Sequence, residues 1–460
     1  MLDLAIVGGS AVTPGKVAAA DLGISDGRIV TIAAPGGLEA ATRTIDASGM
    51  LVLPGAVDPH THLDAQMHGA RSADDFHSGT VAAAAGGVTT IIDYAFQRPG
   101  GSLVEAIGAW QEKAHQRAVI DYGLHIAVID PSAAAIEELP RAVDRGCPSF
   151  KVFMMRRFEE RARDFLKLFA AAAQNGGLMT VHAEDENIIN FCTQRLIDQG
   201  KTAAQYFADS RPPLSEAAAV SRALGMAELT GAATYFVHLS SAAALDEIRR
   251  AREAGRTVLA ETRPIYLYLT EELLRQPDGV RFVGHPPLRT GADRDALWRG
   301  LADGTIDVVA TDHCSWTLKE KRAAENFTRL IPGMANLETL VPMLYSEGVV
   351  SGRISIERMV ELVATNPAKI FGLYPRKGVI ARGADADLVI FDPHQTVVVH
   401  QPEMHSGSDY DPFEGVEVRG WPRTTLSRGE VIVDHRKPHA APGRGRFVPR
   451  APFDPGWRDA

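Results

Sequence analysis

Cysteine is scarce in this chain: three in 460 residues, Cys147, Cys192 and Cys314. An odd number without a Cys-x-x-Cys spacing gives neither a disulfide framework nor a thiolate zinc site, and it fits a reducing cytoplasm. Long apolar runs are absent as well; no window holds about 18 uninterrupted apolar residues, and the start, Met1-Leu2-Asp3-Leu4-Ala5-Ile6, has no basic segment before an apolar one. The expectation is a cytoplasmic protein that neither crosses a membrane nor is exported. Lysine and arginine form no dense run and the net charge is −9, which excludes a basic nucleic-acid-binding surface. What remains, 45% hydrophobic and 23% charged residues, is the composition of a soluble globular enzyme.

Against these absences stand eight short runs with strand character, at 56–62, 89–96, 122–129, 149–154, 178–184, 234–240, 257–264 and 307–314. Between them lie alanine-, leucine- and charge-rich stretches of helical length, for instance 103–117, 161–174, 242–254 and 293–301. Five of the runs end in a metal-type ligand or acid: His60 and His62, Lys151, His182, His238, and Asp312. A closed parallel (β/α)8 barrel gathers residues from the carboxyl ends of its strands at one mouth. An open doubly wound sheet has the same alternation but does not naturally bring ligands from the first, fourth, fifth, sixth and eighth strands to one point.

A barrel takes about 250 to 320 residues and leaves roughly 140 for a second unit. The first fifty residues alternate in the strand manner, with Asp26-Gly27 as a hairpin turn, and 44–47 with 50–53 read as a further strand pair. The same texture returns in Ala386-Asp387-Leu388-Val389-Ile390-Phe391 and across 424–433, with Arg428-Gly429 as the turn. The expected division is a small discontinuous β-sandwich from 1–53 with 374–437, the barrel at 54–373, and an irregular proline- and glycine-rich tail at 438–460. Phe447, Phe453 and Trp457 in that tail are equally suited to a neighbouring subunit and to the tail's own domain.

His60 and His62 are one residue apart in an extended segment, so both imidazoles leave the same face and can grip one cation. Alone, such a pair also describes two surface histidines. His182 and His238 each end an apolar run, and Thr311-Asp312-His313 ends another; singly, a buried histidine is more often a hydrogen-bonded core residue. Together, four neutral imidazoles and a carboxylate suit one or two divalent ions such as zinc. Lys151 lies inside the apolar run Ser149-Phe150-Lys151-Val152-Phe153-Met154, where an ammonium bears a large desolvation cost. It either snorkels to the barrel end or, beside cations, stays neutral and reacts with carbon dioxide to give an anionic carbamate.

These segments resemble the cyclic amidohydrolases of the dihydropyrimidinase and hydantoinase type. The matching stretches include Gly55-Ala56-Val57-Asp58-Pro59-His60-Thr61-His62, Ser149-Phe150-Lys151-Val152-Phe153-Met154, Val181-His182-Ala183-Glu184, His238-Leu239-Ser240-Ser241, Ala310-Thr311-Asp312-His313-Cys314 and Thr365-Asn366-Pro367-Ala368. They run over nearly the whole chain. The resemblance implies two zinc ions, one held by His60, His62 and Asp312 and the other by His182 and His238. Carboxylated Lys151 and a hydroxide would bridge them, with Asp312 shuttling the proton during ring opening. It also implies a small cyclic amide or imide as substrate and a homo-oligomer, dimer or tetramer.

Three positions depart from that family's pattern on the expected substrate side. Arg156 stands where a tyrosine is usual, His285 where a serine precedes Pro-Pro-Leu-Arg, and Arg263 where Glu-Thr-Cys-Pro has its cysteine. The substrate loop becomes Ile331-Pro332-Gly333-Met334-Ala335-Asn336. Arg156, His285 and Asn336 are therefore the expected substrate-binding residues, and Arg156 either stabilises an oxyanion or anchors an acidic substituent, or lies on a solvated loop with Arg157. The alternatives are a related hydrolase of allantoinase, dihydroorotase or imidase type acting on a carboxylate-bearing ring, a mononuclear deaminase, and a non-catalytic scaffold.

Overall fold

The structure is a computed structural model and describes residues 1–459. Eight parallel strands run in sequence order around one sheet: β1 (Ala56–Thr61), β2 (Val88–Phe96), β3 (Asp121–Ala127), β4 (Ser149–Phe153), β5 (Leu178–His182), β6 (Thr234–Phe236), β7 (Val258–Thr262) and β8 (Val308–Val309). The turn is closed by a parallel bridge between Thr61 and His313, where His62 N–H donates to the His313 carbonyl at 2.9 Å. Most of these strands are buried along their whole length, as expected where helices cover the outer face and side chains fill the interior.

The connecting helices start where short polar residues cap them. Ser102 accepts from Glu105 N–H at the head of Leu103–Ala114, Ser241 from Ala244 N–H at Ala242–Glu253, and Thr290 with Asp293 forms a reciprocal cap on Gly291–Ala302. Phe158–Gln174 begins three residues before the expected 161–174, directly after Arg157, whose φ of 50° breaks the chain out of the preceding loop.

Two strands fall far short of their sequence runs, and for one reason. The runs 234–240 and 307–314 continue past β6 and β8 only as irregular chain, because His238 and Asp312 adopt left-handed φ values of 42° and 46°. Carboxylates substitute for the lost ladder bonds there: His238 N–H donates to Glu261 at 2.9 Å and Thr311 N–H to Asp58 at 3.1 Å. The bent ends turn these side chains into the mouth.

Both chain ends build a pair of smaller sheets. One holds Leu2–Val7 between Asp21–Ser25 and Ala41–Asp46; the other runs from Lys16–Ala19 through Ser10–Thr13, Leu51–Pro54, Leu388–Val398 and Glu417–Ser427 to Glu430–Asp434 and Lys437–Pro438. Leu4, Ile6, Leu22, Ile24, Val52 and Leu388 form the apolar layer between them. The expected pairing of 44–47 with 50–53 does not occur: Ala41–Asp46 lies parallel to Leu2–Val7, and Leu51–Pro54 pairs with residues 388–391. Each segment finds a longer apolar partner elsewhere in the sandwich than its neighbour in sequence. Asp26-Gly27 and Arg428-Gly429 are the turns of their hairpins, and the two tips abut, with the Arg428 carbonyl oxygen 2.9 Å from where a Cβ on Gly27 would stand.

The tail lies on its own barrel. Phe453 and Trp457 join Val57, Ile92, Leu178 and Phe371 in the apolar cluster at the barrel end opposite the bent strand ends, and Phe447 packs on Tyr122 with ring centroids 5.9 Å apart. Arg450 is buried and donates to the Leu124 carbonyl and to Ser149 Oγ, both at 2.6 Å.

Candidate metal centre

Six side chains from five strands meet at the carboxyl-end mouth. His60 Nε2 and His62 Nε2 lie 3.2 and 3.1 Å from Asp312 Oδ1, and Lys151 Nζ lies 3.5 Å from His60 Nε2. The His238 ring stacks 5.4 Å from that of His60 and meets His182 edge-on at 4.6 Å. One donor atom each from His60, His238 and Asp312 falls within 4.8 Å of the others, the spacing a shared cation needs.

Electrostatics leaves these donors in ligand form. Burial keeps His60, His62, His182 and His238 below the ordinary imidazole pKa, with Lys151 adding to the effect at each, so all four rings are neutral. Burial raises the pKa of Asp312, but Arg263, then His60 and His62, outweigh it and hold the carboxyl well below the usual range. Lys151 is fully buried and forms no ion pair among the described residues; burial brings its amine down to about 8.

Neighbouring carboxylates orient the rings. Glu261, at the end of β7, accepts from His60 Nδ1 at 2.8 Å, from Tyr235 Oη at 2.8 Å and from His238 N–H. Glu184 lies 2.7 Å from His182 Nε2 and 2.8 Å from Arg211; burial raises its pKa, but Arg211 and His182 bring it down to about 2. The sequence reading missed Glu261, Glu184 and Arg211 as site residues. Their only signal was position, the two acids ending strand runs like the histidines do.

The pocket over these groups opens to solvent and, with its open mouth included, spans about 480 Å³ of empty space. Met67, His68, Phe96, Phe153, Met155 and His285 form its walls; Cys314, Pro332 and Gly333 close one side. Gly333, at φ 124°, is required there, because a Cβ would stand 2.7 Å from Trp316 Nε1 and 2.9 Å from the Cys314 carbonyl. Burial, with Asp312 adding to it, pushes the Cys314 thiol far up, so it stays protonated.

Of the three expected substrate residues, only His285 lines this pocket, stacked on Phe207 with centroids 5.6 Å apart. Arg156 is exposed on the loop after β4, and its neighbour Met155 supplies the wall; Arg157 pairs with Glu160 at 2.9 Å. Asn336 is buried behind the pocket, its N–H donating to His313 Nδ1 at 3.1 Å and its side-chain amide to the Met334 carbonyl.

Comparison with known proteins agrees with the geometry. The amidohydrolase family model matches residues 51–432. D-hydantoinase of Ralstonia pickettii is 44% identical over 458 residues, 98% of this chain and 100% of that one, and D-hydantoinase of Rhizobium radiobacter is 44% identical over the same length. A solved D-hydantoinase structure superposes with a TM-score of 0.96 at 44% identity, covering 98% of this chain and 100% of the other. Coverage from end to end, with a barrel mouth built as described, makes this chain a member of the amidohydrolase family and, within it, a cyclic amidohydrolase of the hydantoinase and dihydropyrimidinase group.

Proposed function

We propose that the chain opens the ring of a hydantoin- or dihydropyrimidine-like cyclic amide using two divalent ions, zinc by the chemistry of the donors. Four neutral imidazoles, one ionised carboxylate and a buried amine fit such a pair, and the His62 and His238 Nδ1 atoms are buried without partners. His60, His62 and Asp312 would hold one ion, His182 and His238 the other, with Lys151 as a carbamate serving both. When bound, the ions acidify water to a nucleophile at neutral pH and polarise the amide carbonyl.

The remaining steps belong to the protein. Asp312 accepts a proton from the attacking water and returns it to the leaving ring nitrogen as the C–N bond breaks, giving an open-chain acid. Glu261 and Glu184 keep His60 and His182 in fixed tautomers by engaging one nitrogen of each ring. The apolar and imidazole walls, His285 among them, hold the ring substituent and exclude bulk water.

The observation that carries this reading is Lys151: a fully buried amine in no direct ion pair among the described residues, 3.5 Å from His60 Nε2. A neutral amine there is the form that adds carbon dioxide, and the carbamate supplies the negative charge that two cations need. The hydantoinase relatives support the substrate class. A carboxylate-bearing ring is the second reading, favoured by Arg156, whose positive charge bears on His68 in the pocket wall. A cytoplasmic setting and a dimer or tetramer belong to the same proposal, the first from cysteine usage and the second from the family resemblance.

Turnover of dihydrouracil, hydantoins, cyclic imides and dihydroorotate, with zinc and bicarbonate supplied, tests it. Hydrolysis of neutral rings by the parent and its loss in Lys151→Ala is the expected result; equal rates in the two proteins refute the bridging role. Preference for dihydroorotate over every neutral ring, lost in Arg156→Ala, moves the substrate to the second reading.

A further inference from the structure

Arg263 is a guanidinium fully buried at the end of β7, and three of its nitrogens face the same two residues. Nε donates to the Thr311 carbonyl at 2.9 Å and one terminal nitrogen to the Asp312 carbonyl at 3.2 Å, while the other forms an ion pair with Asp312 Oδ2 at 3.0 Å without hydrogen-bond geometry. The opposite carboxylate oxygen, Oδ1, is the one that His60 and His62 approach. Asp312 itself sits at φ 46°, in the left-handed region that residues with a Cβ seldom adopt.

We infer that Arg263 is a positioning residue: anchored by hydrogen bonds to two successive carbonyls and set by charge against Oδ2, it holds the bent backbone and presents Asp312 to the cations through Oδ1. This rests on the proposed role of Asp312. A carboxylate with both oxygens free can rotate or chelate through both; one whose Oδ2 is ion-paired to a guanidinium fixed by two backbone bonds is restrained from doing so. Lysine carries the charge but is a single point, without the spread of donors that reaches both carbonyls while a third nitrogen faces the carboxylate. The cysteine usual in the resembling family offers neither charge nor fork.

The test uses the full-length protein loaded with cobalt(II), whose visible absorption reports ligand geometry independently of turnover. Arg263→Cys and Arg263→Lys are expected to shift the cobalt spectrum, weaken binding of one ion by about 10- to 100-fold and lower kcat by a similar factor while KM stays within about twofold. Arg263→Ala should regain part of the parental spectrum and rate on addition of ethylguanidinium at low millimolar concentration. Parental spectra and kcat in Arg263→Cys and Arg263→Lys overturn the inference, and so does a spectral change that Arg263→Lys fully repairs, since charge alone would then suffice. Should Arg263→Cys fail to fold, Arg263→Lys carries the same readouts. Asp312→Asn, run in parallel, separates the two levels: if it keeps both ions and its rate, the reading of Asp312 fails, and if it loses them while the Arg263 variants match the parent, only the positioning role fails.

Discussion

Glu261 Oε1 lies 2.8 Å from His60 Nδ1, both residues fully buried and 201 positions apart in sequence. An imidazole that donates from Nδ1 has its lone pair on Nε2, and Nε2 is the nitrogen that faces Asp312 and Lys151. Burial pushes the Glu261 carboxyl up to about 8, yet the Tyr235 hydroxyl and the His238 N–H converge on it as well, an arrangement suited to an ionised acceptor.

Glu261→Gln should therefore keep the fold and weaken the site. The amide places a donor against one of three donors, so metal affinity is expected to fall about 10- to 100-fold with a matching loss of kcat. Competition with a chromophoric chelator measures it; unchanged affinity removes Glu261 from the orienting role.

Asp312→Asn removes the proton carrier while leaving a similar volume. The expected loss in kcat is about 100- to 10,000-fold, the range general acid–base catalysis supplies, with KM little changed. Steady-state kinetics on the best ring substrate checks this.

The tail makes a stability prediction that does not involve chemistry. Trp457 is 4% exposed and packs with Phe453 in the cluster that includes Val57, Leu178 and Phe371. Trp457→Ala should cost about 3 to 5 kcal/mol by leaving a cavity under the barrel. Urea unfolding, with a shift in midpoint at constant slope, measures it.

A pH effect follows from His405. Its hydrogen bond to Glu338, at 3.1 Å from Nδ1, raises the imidazole pKa above 6.5 against the opposing effect of burial. Because the folded-state value is the higher one, the stabilisation is complete below the unfolded value and fades as pH rises through the folded one. His405→Gln should lose about 1 kcal/mol relative to the parent near about pH 5.5 and much less near about pH 9. Thermal midpoints at the two pH values test the sign.

Much of this architecture could be read from residues alone, and the rest failed for definable reasons. The strand runs were visible because strands buried on both faces are nearly continuous in apolar residues, and His60-x-His62, His182, His238 and Asp312 stood out as polar ends of such runs. The orienting acids were not visible: Glu261 acquires its meaning only from a contact across 201 residues. The false pairing of 44–47 with 50–53 came from local texture, whereas the true partners, Leu2–Val7 and residues 388–391, are fixed by sandwich packing. The tail's destination stayed open because an apolar triplet among prolines does not say which surface it covers. For Arg156 the residues left a role in the site and a place on a solvated loop both open; it is exposed, and the side chain at the wall is Met155.

The central claim, a two-ion centre tied together by Lys151, is tested most directly by counting metal. Elemental analysis of the purified protein and of Lys151→Ala, both prepared with zinc and bicarbonate, should give about two ions per chain in the parent and clearly fewer in the variant, with ring hydrolysis lost alongside. One ion per chain in both proteins would contradict the account and point to mononuclear chemistry such as deamination; none in either, with no turnover of any ring, would leave a scaffold.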